Sequence, residues 1–193
     1  MIAETIEVLV YEDPICAWCY VVEKRIMTLA EEFDRSIKIR HVPFPMRPEP
    51  RLPSMQERKS LVRAVKKAAK QPEGLGIVPD LWISPDPPAT SIPALSAIWA
   101  ARIQGASKES AMRAALRDAA LLRGVNVSRS DVIIEIAERI GLDMSRFTAA
   151  FSAPATERAV RAVHQEAVEH GIDSLPAVVI ADEWLIAGAR DLE

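Results

Sequence analysis

The sequence predicts an α/β fold interrupted by an all-helical segment, and three observations carry that reading. A strand, a helix and a second strand follow one another at the amino end, which begins a parallel α/β unit. About a hundred central residues show only helical apolar spacing, and two short β-branched or aromatic runs return near the carboxyl end. The expected division places 1–53 and 153–193 in the sheet-bearing domain and 54–152 in a helical insertion domain. With 193 residues and 49% hydrophobic content, the chain can bury a core of this kind.

In order, Ile6 to Tyr11 is a short apolar run closed by Glu12, Asp13 and Pro14, the pattern of a buried strand ending in a turn. From Ala17, the positions Val22, Ile26, Leu29, Ala30 and Phe33 keep helical spacing with charged residues between them. Ile37 to Val42 alternates with the period of a strand. Pro43, Pro45, Pro48, Pro50 and Pro53 then remove backbone donors and predict a domain crossing. Gln56 to Phe151 reads as helices, with Gly105, Gly124 and Gly141 as carboxy-terminal caps and Ser107, Ser128 and Asp143 as amino-terminal ones. A further helix starts at Pro154 and stops at Gly171. Ala177 to Ile180 and Trp184 to Ala187, with a tight turn at Asp182 and Glu183, predict an antiparallel hairpin.

Charge and hydropathy narrow the function classes. The formal net charge of −3 gives no global attraction to nucleic acid or an anionic membrane, and no window approaches 18 uninterrupted apolar residues. The first residues carry Glu4 and Glu7 where a signal peptide needs basic residues and a longer apolar run, so a cytoplasmic protein starting at Met1 is expected.

Chemistry concentrates at the two cysteines. Cys16 and Cys19 stand i and i+3 at the start of a helix after a core strand, about 5–6 Å apart and able to form a disulfide. The helix terminus favours a thiolate at Cys16, making it the nucleophile, while Cys19, one turn in, is the resolving thiol. Half a zinc site is the competing reading, but there is no third cysteine, and His164 and His170 lie six apart on different helix faces; no metal and no cofactor are expected. A structural disulfide would close too short a loop to restrain the unfolded chain much. Ser174-Leu175-Pro176 precedes a strand, and from the residues alone the Leu175–Pro176 bond is open between trans, the commoner isomer, and cis.

The segment DPICAWCYVVEKRI resembles the D-P-x-C-x-W-C-Y stretch of cytoplasmic proteins in the DsbA-like thioredoxin-fold family, in its FrnE-like branch. LRDAALLRGVNVSRSDVIIEIAERIGLD and GIDSLPAVVIADEWLIAGAR extend the likeness over nearly the whole chain. The resemblance implies a thioredoxin fold interrupted by an all-helical insertion domain, Cys16 and Cys19 as the catalytic pair, and Pro176 as a cis-proline beside them. The sequence departs from the family at Ala17, where many members have proline, and at Ala177-Val178, where bulkier residues follow the cis-proline. Relatives in the wider superfamily bury an acid six residues before the first cysteine; here that position is Val10, leaving Glu12 and Asp13 as the nearest proton acceptors. Arg190 to Glu193 resembles the beginning of the fold's last helix, with the chain truncated there or Leu192-Glu193 a cloning remnant.

The leading expectation is a thiol-disulfide oxidoreductase or disulfide isomerase acting on protein or peptide disulfides, its substrate held between the Cys16 helix and the Leu175-Pro176 loop. Trp18 either shields the disulfide and contacts substrate or packs, and Trp82 and Trp99 are expected in the core of the insertion. Arg58, Lys59, Arg63, Lys66, Lys67 and Lys70 form one basic helix, read either as a solvated face or as a site for an acidic partner. The alternative function is a glutathione-dependent transferase or isomerase of the kappa-class or hydroxychromene carboxylate isomerase type, whose members usually carry serine rather than two cysteines. A helical interaction protein with incidental cysteines is a third class, and it predicts no thiol exchange at all.

Overall fold

In the computed structural model, residues 5–32 and 37–190 are described; the expectation for Asp191 to Glu193 lies outside them. The first strand, β1 (Ile6–Glu12), leads into α1 (Ala17–Glu32) and then into β2 (Ile37–Pro43). Helices α2 (Met55–Ala68), α3 (Asp80–Ile83), α4 (Ile92–Ala101), α5 (Ala106–Arg123), α6 (Ser130–Arg139) and α7 (Met144–Phe151) follow. The chain returns through α8 (Pro154–Glu169) to β3 (Ala177–Ile180) and β4 (Trp184–Ala187). The sheet has the order β2-β1-β3-β4, with β1 and β2 parallel and the other two pairings antiparallel. This is an α/β fold, a mixed four-stranded sheet carrying many helices.

Alternation along the strands divides the core between the two faces of the sheet. Val8, Val10 and Val178 pack with Val22 of α1 on one face, while Ala177 meets Phe44, Ala167 and Ile172 on the other. The largest core is helical: Ile15, Ala17 and Val21, around the start of α1, join Leu81, Trp82, Leu116, Ile133 and Phe147. The cysteine-bearing helix α1 is therefore clamped between the sheet and the helical block, and each fully buried Leu or Ile there contributes about 1.5–3 kcal/mol.

Several expected details shift. The hairpin turns at Ala181 and Asp182, one residue earlier than expected, with φ of 53° and 56° and a hydrogen bond from the Glu183 amide to the Ile180 carbonyl. Two consecutive left-handed residues match the right-handed twist of the flanking strands, which is why the turn sits there despite containing no glycine. Asp143 caps α7 by accepting from the Arg146 amide, whereas Ser107 and Ser128 cap nothing, and the Ser128 hydroxyl donates to the Thr90 carbonyl instead. Gly124 ends α5 at φ 66°, where a Cβ would stand 2.5 Å from the Asp80 Cβ; both the conformation and the close approach require glycine. Trp82 is a core residue, 1% exposed, but Trp99 is half-buried on the wall of a cavity, with the Arg102 guanidinium 4.4 Å from its ring centroid.

Candidate active site

The turn between β1 and α1 is built by Asp13. Its carboxylate accepts from the Ile15 amide at 3.0 Å and from the Met46 amide at 2.7 Å, and its backbone carbonyl accepts from the Cys16 amide at 3.0 Å. One side chain thus fixes the cysteine-bearing turn and fastens it to the segment that follows β2. Cys16 then occupies the N-cap position of α1, and its sulfur takes the place of a capping oxygen by accepting from the Cys19 amide at 3.3 Å. Helix amino termini hold anions by such contacts. Both cysteines are free thiols, 5% and 1% exposed, so Cys19 is the deeper one. Burial pushes the Cys19 thiol well above its ordinary pKa, and neighbouring Cys16 adds to that; the Asp13 backbone amide works the other way.

Beneath the pair lies a buried cluster of ions that the motifs did not reveal. Glu12, at the end of β1, contacts Arg117 of α5, with Arg113 Nε at 3.4 Å and His41 Nδ1 at 3.1 Å from its other oxygen. Glu23, one helical turn beyond Cys19, contacts Arg117 as well, with Arg113 Nε at 3.6 Å and His41 Nε2 at 3.8 Å. Burial alone would raise the Glu12 pKa, but Arg117, His41 and Arg113 outweigh it and hold the carboxyl at about 2. Among the described residues Asp13 has no such cation. Burial drives its pKa up to about 6, against the Ser91 hydroxyl and the Ile15 and Met46 amides, with the Glu12 charge adding to the rise. Glu12, Glu23 and His41 bring three donor atoms within 4.8 Å of one another, a spacing that suits a metal ion, yet two guanidinium groups already neutralise these carboxylates.

The remaining expected site residues fall at one end of the sheet. The register that sets Tyr11 opposite Ala177 brings Pro176 to the level of Glu12, so its loop and the cysteine turn emerge together. The Leu175–Pro176 bond is cis; the Pro176 carbonyl accepts from the Gly188 amide at 2.8 Å, and Leu175 packs with Phe44 and Ile172. Trp18 is half-buried against the helical core. A cavity of about 780 Å³ lies elsewhere, between the sheet and α8; it is lined by Leu9, Tyr11, Trp99, Glu166 and His170 among others and includes neither cysteine. The cysteine turn is the candidate for the chemistry, since the lining of that cavity includes neither thiol.

Glu23, His41, Arg113 and Arg117 escaped sequence reasoning because Arg117 lies 105 residues from the acid it neutralises. The signal was faint but present: Arg113 and Arg117 follow Met112 and Leu116 by one position each, along the edge of the apolar face of α5.

Comparison with known proteins agrees with this fold. Residues 7–193 match the family described as the DSBA-like thioredoxin domain. A protein of Nitrosomonas europaea described as a candidate protein disulfide isomerase has a similar structure, with a TM-score of 0.79, 20% identity, and coverage of 97% of this chain and 92% of that one. The cytosolic disulfide reductase DsbM of Pseudomonas aeruginosa, solved with glutathione, gives a TM-score of 0.72 at 18% identity over 93% of this chain and 89% of its own. A 2-hydroxychromene-2-carboxylate isomerase gives 0.72 at 18% identity, with 95% and 89% coverage. Among curated proteins, the ClpXP adapter protein SpxH of Halalkalibacterium halodurans is 26% identical; the match covers 92% of this chain but only 59% of that protein's length.

Proposed function

From a chain that belongs to the DSBA-like thioredoxin domain family, we propose a thiol-disulfide oxidoreductase that acts on protein or peptide disulfides through Cys16 and Cys19. The observation that carries the reading is the Cys16 sulfur at the N-cap of α1, accepting the Cys19 amide with the second thiol buried behind it. As a thiolate, Cys16 attacks a substrate disulfide, forming a mixed disulfide and releasing one substrate thiolate. Cys19, once deprotonated, attacks the Cys16 sulfur; the Cys16–Cys19 disulfide forms and the second substrate thiolate leaves. Two equivalents of an external thiol such as glutathione return the pair to the dithiol and are themselves oxidised to a disulfide. The proton of Cys19 needs an acceptor, and of the two acids that precede the pair Asp13 suits the task, because its pKa of about 6 lies near neutrality whereas Glu12 at about 2 stays an anion.

The Leu175-Pro176 loop, at the same end of the sheet, offers backbone against which an extended substrate could pair, and Trp18 beside the cysteines is its candidate contact. A cytoplasmic setting with glutathione as electron donor fits this chemistry, since disulfides there are transient and catalytic. DsbM, described as cytosolic and solved with glutathione, supports both points. The likeness to the hydroxychromene carboxylate isomerase is a likeness of fold; two free cysteines favour disulfide exchange over glutathione-dependent isomerisation.

Trapping with two variants tests the proposal. Cys16→Ser is expected to abolish exchange, while Cys19→Ser accumulates mixed disulfides because the resolving thiol is gone. Partners captured by Cys16→Ser and not by Cys19→Ser would reverse the two roles, and capture by neither would refute the reading.

A further inference from the structure

Residues 55–70 hold six cations (Arg58, Lys59, Arg63, Lys66, Lys67 and Lys70) and one acid, Glu57. That is a net +5 in a chain whose total is −3, so the residues outside this segment sum to −8. Two of the seven charges serve the fold. Arg58 donates to the Trp82, Ile83 and Ser84 carbonyls at 2.6–2.7 Å, and Glu57 closes a capping box with Ser54 while pairing with Arg51. The other five are exposed, and among the described residues none of them is in an ion pair.

At about 100° per residue these five fall within an arc of about 100° on α2 and the turn after it, and the stripe from Lys59 to Lys70 runs about 16 Å. Val65 and Ala68 occupy the buried side. Lys59 and Arg63, Arg63 and Lys67, and Lys66 and Lys70 are all like-charge i,i+4 pairs, an arrangement that weakens a helix when nothing of opposite sign lies against it.

The stripe runs beside the active-site helix. Before entering α2 the chain passes Asp13, which binds the Met46 amide; after leaving it, Gln71 and Glu73 bind Arg25 of α1. Leu61 and Val62 of α2 share a core with Trp18 and Tyr20. Leu52 and Met55 just ahead of the stripe and Leu75 just after it are 65%, 66% and 82% exposed, leaving apolar contacts at both ends.

We infer that this stripe docks an acidic segment of the protein substrate, so that disulfides carried beside runs of Asp and Glu are preferred. The inference rests on the disulfide-exchange reading. The stripe is a single helix face with no aromatic residue on which bases could stack, and the −8 borne by the rest of the molecule repels a long polyanion. A lipid surface would need the apolar face of α2, which is packed in the core. A peptide with three or four carboxylates matches the length, and the surrounding negative charge lets it settle only here.

The test uses two disulfide-linked peptides, identical except that one carries four glutamates where the other carries glutamines. The acidic peptide is expected to be reduced with about tenfold higher kcat/KM at low salt, and the advantage should vanish near about 0.5 M NaCl. In Lys59→Glu/Arg63→Glu/Lys66→Glu the preference should disappear or invert, while reduction of bis(2-hydroxyethyl) disulfide, a small uncharged disulfide, keeps its wild-type rate. Fluorescence anisotropy of a disulfide-free tetraglutamate peptide reads docking without thiol chemistry. Binding by the wild type and its loss in the triple variant supports the site even if exchange fails. Equal rates for the two peptides, binding that survives the charge reversal, or binding of oligodeoxythymidylate but not of the acidic peptide would overturn it.

Discussion

Two groups of charged residues flank the active-site helix, and they are handled in opposite ways. Beneath the cysteines, Glu12 and Glu23 meet Arg113 and Arg117 in a nearly closed cluster, where every charge touches its opposite. Along α2, Lys59, Arg63, Lys66, Lys67 and Lys70 lie exposed with no acid against them. In the low-dielectric interior an unpaired ion costs several kcal/mol, so pairing there is obligatory. At the surface water screens the repulsion, so a single sign can persist and be available to a partner. The inner group is structure, and the outer group is a surface.

The sharpest way to break that contrast is Arg117→Met, which leaves buried Glu12 and half-buried Glu23 sharing the one guanidinium of Arg113 and should cost up to about 3–5 kcal/mol in urea unfolding. Arg117→Lys, which keeps a charge but not the planar fork, should recover part of the loss. An effect no larger than that of a surface substitution would mean that water reaches the cluster.

Next in size is the pH dependence of stability. Asp13 titrates at about 6 when folded against 3.8 unfolded, so its contribution is fully present below 3.8 and lost as pH rises through 6. Glu12 titrates at about 2 against 4.5, so its contribution is present above 4.5 and lost as pH falls towards 2. Each is worth about 3 kcal/mol at most, and stability should therefore rise on acidification from pH 7 to about 5 and fall below about 4.5. A flat profile from 7 to 5 would show that Asp13 is already partnered by a cation or by water. If Asp13 accepts the Cys19 proton, single-turnover resolution should also accelerate as pH rises through about 6, and Asp13→Asn should remove that dependence.

The smallest expected effect sharpens the comparison from the other side. Lys59→Glu/Arg63→Glu/Lys66→Glu should leave the urea midpoint nearly where it was, because all three side chains are exposed and, among the described residues, none is in an ion pair, Arg63 donating only to the exposed Ser60 hydroxyl. A large shift would make the stripe structural.

The sequence made the local features legible. The strand, turn and helix around the cysteines were written in one contiguous run, Ile6 to Leu29, and the helical periods and Pro154 marked their own elements. Asp13 and Glu12 were both named as acids near the pair, but their neighbours on the chain could not tell them apart. What separates them is Arg117, which reaches Glu12 from a helix 105 residues away while Asp13 faces only backbone amides and a hydroxyl. The hairpin turn slipped by one residue because Ala181 has no intrinsic preference for φ of 53° and adopts it only under the pairing of β3 with β4. Trp99 looked like core because it keeps the period of α4, yet the last turn of that helix opens onto the cavity beside α8.

The central claim, that Cys16 and Cys19 are one redox couple, is tested most directly by equilibrating the protein with glutathione buffers and counting free thiols by alkylation and mass. Both thiols should disappear together as an intramolecular disulfide, with an intermediate midpoint well below about −120 mV, the range of strongly oxidising periplasmic proteins. A stable glutathione adduct on Cys16 with Cys19 still free, or a midpoint near about −120 mV, would contradict the account.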